Sequence, residues 1–508
     1  MLELKGKKID IEAGEHTVIL NNKDAKRLGV RSQSRVRIDN KGNSTGAIVE
    51  TSDTMVKEGE IGLLENVFKE VSAKEDDILK IVTAGRPESI EHIKEKLEGK
   101  ELSEHAIKEI IQDITDQRLS DIELSAYVCG VYSNGMTNKE IKNLILAMIE
   151  TGDTIEFDKN PVFDHHSIGG VPGNKITLLI VPIVAAAGMM IPKTSSRAIS
   201  SAGGTADIFE VLADVTLSTD EIKRIAEDVG GTIAWGGGVN LAPSDDIIIR
   251  AEYPLRIDPY PQVLASVLSK KKATGADYLV MDIPVGPNTK VEDMDMGRKY
   301  ARDFVSLGED IGIRVRCALS YGGQPVGAAV GPAVEAKEAL MALEGKEVPT
   351  SLIEKSTALA GMVLEQGGIR EGKGKEEAKR ILESGEALTK MKEIIEAQGG
   401  DPDVTSEDVH LGKHTKDILA TDEGYVGSIH NGDIIQIVRS AGAPHDKGAG
   451  LILNKKKGDK VEVDDVLFTI YSDHGKKLKE AVKLSKHLNP INIEGMILEC
   501  HPELKTVG

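Results

Sequence analysis

Cysteine is scarce in this chain. Its three cysteines among 508 residues, Cys129, Cys317 and Cys500, stand far apart and none belongs to a CxxC pair. That argues against a disulfide framework and against a cysteine zinc site. Aromatic residues make up 3%, with Trp235 the single tryptophan, so the cores must be packed from Ile, Leu, Val, Ala and Met. A basic excess is missing too: 82 acidic residues against 63 basic give a net charge of −19. General nucleic-acid binding draws on a basic face and is not expected. A small anion is not excluded, because a local nest of N–H donors can outweigh the overall sign. The most apolar stretch, ITLLIVPIVAAAGMMI, is interrupted by Pro182 and Gly188 and is too short for a membrane span. The opening residues, MLELKGKKIDIEAGEH, contain no signal-peptide apolar region. These absences predict a soluble, cytoplasmic protein with no membrane partner, and the length implies about three domains or more.

What is present divides the chain into four parts. Residues 1–85 predict a β-rich domain: HTVILN, RVRID and TGAIVET alternate apolar and polar residues, as half-buried strands do, and NKDAKRLGV reads as a short helix between them. Residues 86–158 read as helical. SEHAIKEIIQDIT sets Ile107, Ile110, Ile111 and Ile114 on one face, and Ser120 with Glu123 and Thr137 with Glu140 fit the capping box. From 159 to 420 short apolar runs end in glycine-rich loops (KITLLIVPIVAAAG, GTIAWGGG, YLVMDIPVG, RVRCALSYGG), an α/β texture whose strand-end loops are where ligands usually sit. From 421 to 508 the pattern turns β-rich in GYVGSIHNGDIIQIV, GAGLILN and DKVEVDDVLFTIYSD, and predicts an α+β region.

Four loops could carry chemistry. DHHSIGGVPGNKIT, residues 164 to 177, allows backbone N–H groups around Gly170 to converge on an anion, ahead of an apolar segment that could start a helix. It is not a Walker A loop, since Asn174 stands where that pattern demands glycine; a structural turn is the alternative. His165 and His166 are adjacent, point apart and make a poor metal pair, so no metal is expected. SSRAISSAGGTADIFE, residues 195 to 210, is rich in hydroxyls and N–H groups, with Arg197 as a planar fork suited to phosphate; the alternative is a polar surface loop. In RIDPYPQVLASVLSKKK, Ser266 and Lys270 fall one turn apart if 262–272 is helical, and Lys270 could equally end a solvated helix. In YLVMDIPVGPNTK, a buried strand over 278–283 leads into a loop that carries Lys290.

In this order, HHSIGGVPGNK, SSRAISSAGGTADIFE, LASVLSKK and YLVMDIPVG resemble the thymidine and pyrimidine-nucleoside phosphorylase family over residues 87 to 508. The resemblance implies a multidomain α/β fold in which a helical domain, joined by about 240–273, faces the α/β domain across a cleft, and assembly as a homodimer or a higher homo-oligomer. The β-rich leader joined to SIGGVPGNK resembles the archaeal-type AMP phosphorylase branch. That branch takes AMP, and also CMP or UMP, with inorganic phosphate as co-substrate and no cofactor, and yields free base and ribose 1,5-bisphosphate in AMP salvage. Carried over residue by residue, the resemblance implies nucleotide or sugar contacts from Gly170, Ser196, Arg197, Ala198, Ile199, Ser200, Ser201, Thr205, Ser266, Lys270 and Lys290. Phosphate contacts are implied for His166, Ser167 and Thr205. Asp258 would be the general acid that protonates the leaving adenine, which requires a raised pKa from burial or a like charge; a helix-capping Asp258 is the alternative. The chain departs from bacterial members, which have Lys-His-Ser where His165, His166 and Ser167 stand. Thr177 lies near their serine, and neither Arg250 nor Arg256 aligns with their base-contacting arginine.

Three other functions stay open at this point. A pyrimidine-nucleoside phosphorylase would share the loops but need no 5′-phosphate pocket. A phosphoribosyltransferase would need diphosphate and an acidic metal motif, which is not evident. A non-catalytic module would bind AMP without releasing base.

Overall fold

Six strands of four to nine residues solve at the N-terminus the problem that open sheet edges pose. β1 (Leu2–Ile9), β2 (Thr17–Leu20), β3 (Arg35–Asn40), β4 (Asn43–Thr51), β5 (Glu60–Leu64) and β6 (Ile78–Thr83) close into a barrel in the order β1-β5-β2-β4-β3-β6. The pairing is mixed. β1 runs parallel to β5 and β2 to β4, and β1 meets β6 antiparallel to close the ring. Alternate residues point inward, so Val18, Leu20, Val36, Ile38, Val49, Ile61, Leu63, Leu79 and Ile81 fill one core, with α1 (Asn22–Leu28) and α2 (Glu65–Glu70) packed beside it. The structure is a computed structural model and describes residues 1–11, 13–198 and 201–495.

Four helices follow: α3 (Ser89–Leu97), α4 (Glu104–Thr115), α5 (Asp121–Asn134) and α6 (Asn138–Glu150). Ile107, Ile110, Ile111 and Ile114 are all buried, and α5 and α6 begin with the Ser120/Glu123 and Thr137/Glu140 capping boxes. By contacts the chain divides into two compact units. Met1–Gly152 with Ala242–Ser269 forms the first, and Asp153–Leu241 with Lys270–Gly508 the second. Barrel and helices thus share one unit.

The second unit is built on parallel strands. β7 (Phe163–Ser167) leads through a glycine loop into α7 (Thr177–Ala186), and β8 (Ile191–Ser195) through the 196–204 segment into the short α8 (Thr205–Phe209). Then come α9 (Thr219–Val229), β9 (Gly231–Trp235), α10 (Pro243–Leu255), α11 (Tyr260–Ala273), β10 (Tyr278–Val285), α12 (Met294–Asp310) and β11 (Arg314–Tyr321). Of these, α10 and the front of α11 belong to the first unit. β10 lies between β7 and β11, and β8 pairs with β9, all in parallel; a parallel bridge from Val162 to Met190 joins the two groups. Because these strands run the same way, the loops after β7, β8 and β10 emerge at their carboxyl ends, where α/β sheets hold ligands. The apolar run that carries Pro182 is α7, buried from Thr177 to Ala185. No helix among the described residues is long and apolar enough to cross a membrane.

β12 (Ala329–Val330), α13 (Pro332–Leu343), α14 (Thr350–Gln366), α15 (Gly374–Glu383) and α16 (Glu386–Ala397) precede the last region. There β13 (His414–Leu419), β14 (Gly424–Ile429), α17 (Asn431–Ala441), β15 (Gly450–Leu453), β16 (Lys460–Val461), β17 (Val466–Ser472), α18 (Gly475–Leu488) and β18 (Ile491–Glu494) form two antiparallel sheets with helices. One expectation fails here. HNGDIIQIV, read as strand, is the first two-thirds of α17: Ile434, Ile437, Val438 and Ala441 are its buried face, and this helical spacing prevails over the β-branched composition. The boundary at 420 also cuts a sheet, because β13 pairs with β17, and β12, earlier still, pairs with β15.

Candidate active site

The loops after β7 and β8 enclose a cavity of about 180 Å³, and its lining comes wholly from the second unit. Of the residues expected from sequence, His166, Ser167, Gly170, Ser196, Ser201 and Thr205 line it. Ile199 and Ser200 lie outside the described residues.

Several lining groups are held by specific partners. Ser167 donates to Asp282 Oδ2 on β10 at 2.7 Å and accepts from Asn174 Nδ2 at 2.9 Å. Asp282 also accepts from Ser320 at 2.5 Å and pairs with Lys355 of α14 at 2.8 Å. A carboxylate with three donors is a rigid anchor, so the Ser167 oxygen is fixed at the cavity wall. Gly170 has φ +86°, and a Cβ there would stand 2.6 Å from the backbone nitrogen of Lys290. Only glycine permits that approach, which sets the β7 loop against the β10 loop and brings Lys290 beside Gly170. In the β8 loop Asp207 accepts from the N–H groups of Ala198 (2.7 Å) and Gly204 (3.0 Å). A Cβ on Gly204 would meet Ser196 O at 2.5 Å, so the Gly-Gly pair lets the loop fold back on itself ahead of Thr205.

The Arg197 guanidinium binds within its own loop: it grips Glu210 through Nη1 (2.6 Å) and Nη2 (2.5 Å), reaches Asp207 at 3.4 Å and stacks on Trp235 at 4.8 Å. The acidic pair that ends the motif takes the fork, and Lys447 joins it with Glu210 at 2.7 Å. Hydrogen bonding to Arg197 holds the Glu210 carboxyl down at about 2. Arg197 therefore anchors the loop while Ala198 contributes its backbone.

The remaining expected residues do not line the cavity. Asp258 and Ser266 belong to the first unit and Lys270 and Lys290 to the second. Ser266 and Lys270 do fall one turn apart on α11, and Ser266 donates to Asp245 at 2.7 Å. Asp258 is exposed, in the loop after the left-handed Arg256.

Several lining residues were not singled out from sequence. Lys193 and Glu335 are 3% and 2% exposed, and Asn174 shares the lining with them. Burial pushes the Glu335 carboxyl up to about 7, and burial beside Lys193 and Lys271 holds the His165 imidazole down at about 3. A readable signal existed for Lys193: a lysine in the middle of IPKTS, between residues of a buried strand, must have a partner. Nothing local marks Glu335, which arrives from α13.

The cavity thus offers hydroxyls, glycine-loop N–H groups and the N-terminus of α7, with neutral histidines and one ammonium, an arrangement that suits a small oxyanion. Comparison with known proteins agrees with this chemistry. Residues 90–152 match the helical bundle domain of a glycosyl transferase family, residues 159–388 its α/β domain, and residues 425–492 the C-terminal domain of pyrimidine nucleoside phosphorylases. The fold is similar to anthranilate phosphoribosyltransferase from Thermus thermophilus, with a TM-score of 0.52 and 19% identity over 60% of this chain and 98% of that one. Proteins named AMP phosphorylase are much nearer: 52% identical in Methanosarcina mazei over 99% of both chains, 49% in Methanococcoides burtonii over 98% of both, and 50% in Methanococcus maripaludis over 98% of this chain and 99% of that one. The chain is therefore a pentosyltransferase and belongs to the AMP phosphorylase family.

Proposed function

We propose that this enzyme cleaves AMP by phosphorolysis. An oxygen of inorganic phosphate attacks C1′ of the ribose, the bond from C1′ to adenine breaks, and adenine and ribose 1,5-bisphosphate leave; CMP and UMP react in the same way. What carries this reading is a donor-lined oxyanion cavity in a chain about half identical, end to end, to proteins named AMP phosphorylase. The nucleophile is the co-substrate itself, so the reaction calls for no cofactor.

Ser167, His166, Thr205 and the Gly170 backbone would hold phosphate. The 196–201 loop, fastened by Arg197 and Asp207, would hold the nucleotide, and Ser266, Lys270 and Lys290 would contact ribose or base. Charge builds at C1′ and on the leaving base, so fixed donors around the anions and a proton for adenine lower the barrier. Asp258 would supply that proton to a ring nitrogen. Being exposed here, it would rely on bound nucleotide to exclude water. We read the enzyme as a cytoplasmic homo-oligomer active in AMP salvage.

The test is product analysis. Incubation with AMP and phosphate should release adenine and ribose 1,5-bisphosphate, with none released when phosphate is omitted and little from adenosine or thymidine. Preferential cleavage of thymidine would replace this reading with a pyrimidine-nucleoside phosphorylase, and AMP binding without base release would replace it with a non-catalytic module. Asp258→Asn should lower turnover of AMP about 100-fold or more with folding intact. Near-normal turnover would remove Asp258 from the acid role.

A further inference from the structure

Among the described residues that line the oxyanion cavity, Lys193 is the one with a lysine or arginine side chain. It is the third residue of β8 and is buried. Its Nζ donates to the carbonyl of Thr194 at 2.9 Å and stands 3.6 Å from Asp164 Oδ1 on β7. Lys271, from α11, reaches the other oxygen of the same carboxylate at 2.6 Å and the same carbonyl at 3.3 Å. All three side chains are 1–3% exposed.

Two ammonium groups here share one carboxylate, which leaves one positive charge in excess inside the protein. A buried charge without a counterion is unfavourable, and two events can relieve it: one lysine gives up its proton, or an anion enters. Lys271 holds the shorter contact to Asp164, so the excess rests on Lys193, the member that faces the cavity. The proton balance agrees. Burial first, and the neighbouring Lys271, bring Lys193 down to about 7 against the opposing pull of Asp164, while the two lysines keep Asp164 below its ordinary range against the effect of burial.

We propose that Lys193 is the cationic ligand of the cavity's anion, and that the Asp164–Lys271 pair beneath it withholds full neutralisation so that the arriving anion completes the charge balance. The inference rests on reading the cavity as an oxyanion site, as the proposed phosphorolysis requires. It adds a binding residue, Lys193, and two positioning residues, and it ties anion binding to a proton taken up by Lys193.

The other ionisable groups around this cluster do not mask the effect. His165 and His166 on β7 are both held neutral by burial and by the lysines. Lys270 adjoins Lys271 on α11 and Lys355 on α14 is paired with Asp282, so neither adds a carboxylate. Lys175 is buried and paired with Glu338 at 2.5 Å. Glu335 on α13 is the exception: its pKa of about 7 falls in the same window, and its ionisation would also oppose an anion.

Sulfate is the probe, because its charge is constant from about pH 6 to about pH 9, where phosphate titrates. Calorimetry on the full chain, in two buffers of different ionisation enthalpy, reads affinity and proton uptake together. Wild-type protein should bind sulfate, take up protons near pH 7 and lose affinity as pH rises through that region. Lys193→Met should bind about tenfold or more weakly with the Lys193 share of the proton uptake gone. Its melting temperature without sulfate should be equal or higher, since the excess charge is gone, and that serves as the folding control. Glu335→Gln cannot ionise and should keep the Lys193 share of the proton uptake. Lys271→Met should move the pH midpoint upward, a change that a purely structural lysine would not cause. Tight, pH-linked sulfate binding by Lys193→Met, or no oxyanion binding by wild-type protein, would overturn the proposal. AMP turnover is not read in this experiment, so failure of the AMP reading leaves it standing.

Discussion

At the scale of the residue, the decisive feature is that polar side chains hold one another before any ligand arrives. Arg197 shows this most clearly. A guanidinium gripped by Glu210, near Asp207 and stacked on an indole face is committed first to its own loop, and it fixes the segment whose N–H groups and hydroxyls do face the cavity. Removing its main partner with Glu210→Ala should leave the fold intact and slacken the loop, raising KM for AMP about tenfold, the scale of a lost charge-assisted hydrogen bond; steady-state kinetics with AMP varied at saturating phosphate would measure it. The folded-state pKa of Glu210, about 2, lies below its ordinary value. Its stabilising contribution is therefore complete above pH about 4.5 and lost only as pH falls toward 2, so the latch is closed at every pH where the enzyme is assayed. Any pH dependence of oxyanion affinity near 7 belongs instead to Lys193 and Glu335.

At the scale of the element, buried charge is used as a fastener between helices. Lys96 of α3 and Glu140 of α6 meet at 2.8 Å with 2% and 1% exposure. Glu140 also closes the capping box of α6 and accepts the N–H of Leu102 at 2.9 Å. Burial alone would raise its pKa, but the Leu102 and Thr137 N–H groups and Lys96 together hold it below the ordinary carboxylate value. Lys96→Met strands that carboxylate and should destabilise the first unit by about 3–5 kcal/mol, with part recovered in the Lys96→Met, Glu140→Gln double variant; thermal unfolding followed by circular dichroism would show both. As pH falls through the carboxylate range the wild-type advantage should shrink, because the group must gain a proton it binds poorly when folded. These elements also mark the limits of what the sequence conveys. The capping boxes, the isoleucine face of α4 and the glycine loops after β7 and β8 were legible, because each depends on residues a few positions apart. The helix α17 was misread because two β-branched pairs outweighed a spacing of three and four. Barrel closure, Glu335 and the partners of Lys193 were not legible, since they join residues from distant strands and helices and leave no local periodicity; for Lys193 only the need of a partner could be read.

At the scale of the whole molecule, the first unit poses a question of coupling. The barrel has its own apolar core, and polar contacts tie it to the helices. Arg35 of β3 donates to the carbonyl of Arg118 at 3.0 Å and grips Glu123 of α5, itself the capping residue of that helix. Arg250 of α10 binds the carbonyl of Gly14 in the barrel and Asp121 at 3.2 Å, while the Asp121 N–H donates to Glu15 at 3.2 Å. Partly buried arginine forks resist solvent screening better than exposed pairs do. They align the barrel on the helices. If so, Arg35→Ala should let the barrel detach while both cores remain folded. Glu88 lies exposed between β6 and α3 and offers a glutamate-specific protease a cut at that junction. A loss of about 1–2 kcal/mol in docking should speed cleavage after Glu88 about 5- to 30-fold where cleavage tracks the opened form, with circular dichroism unchanged. Glu123→Gln should do the same to a smaller degree, and the double variant should be no worse than Arg35→Ala, because the two act through one contact. Cleavage at the wild-type rate in Arg35→Ala would mean that the barrel is held by its apolar neighbours after all.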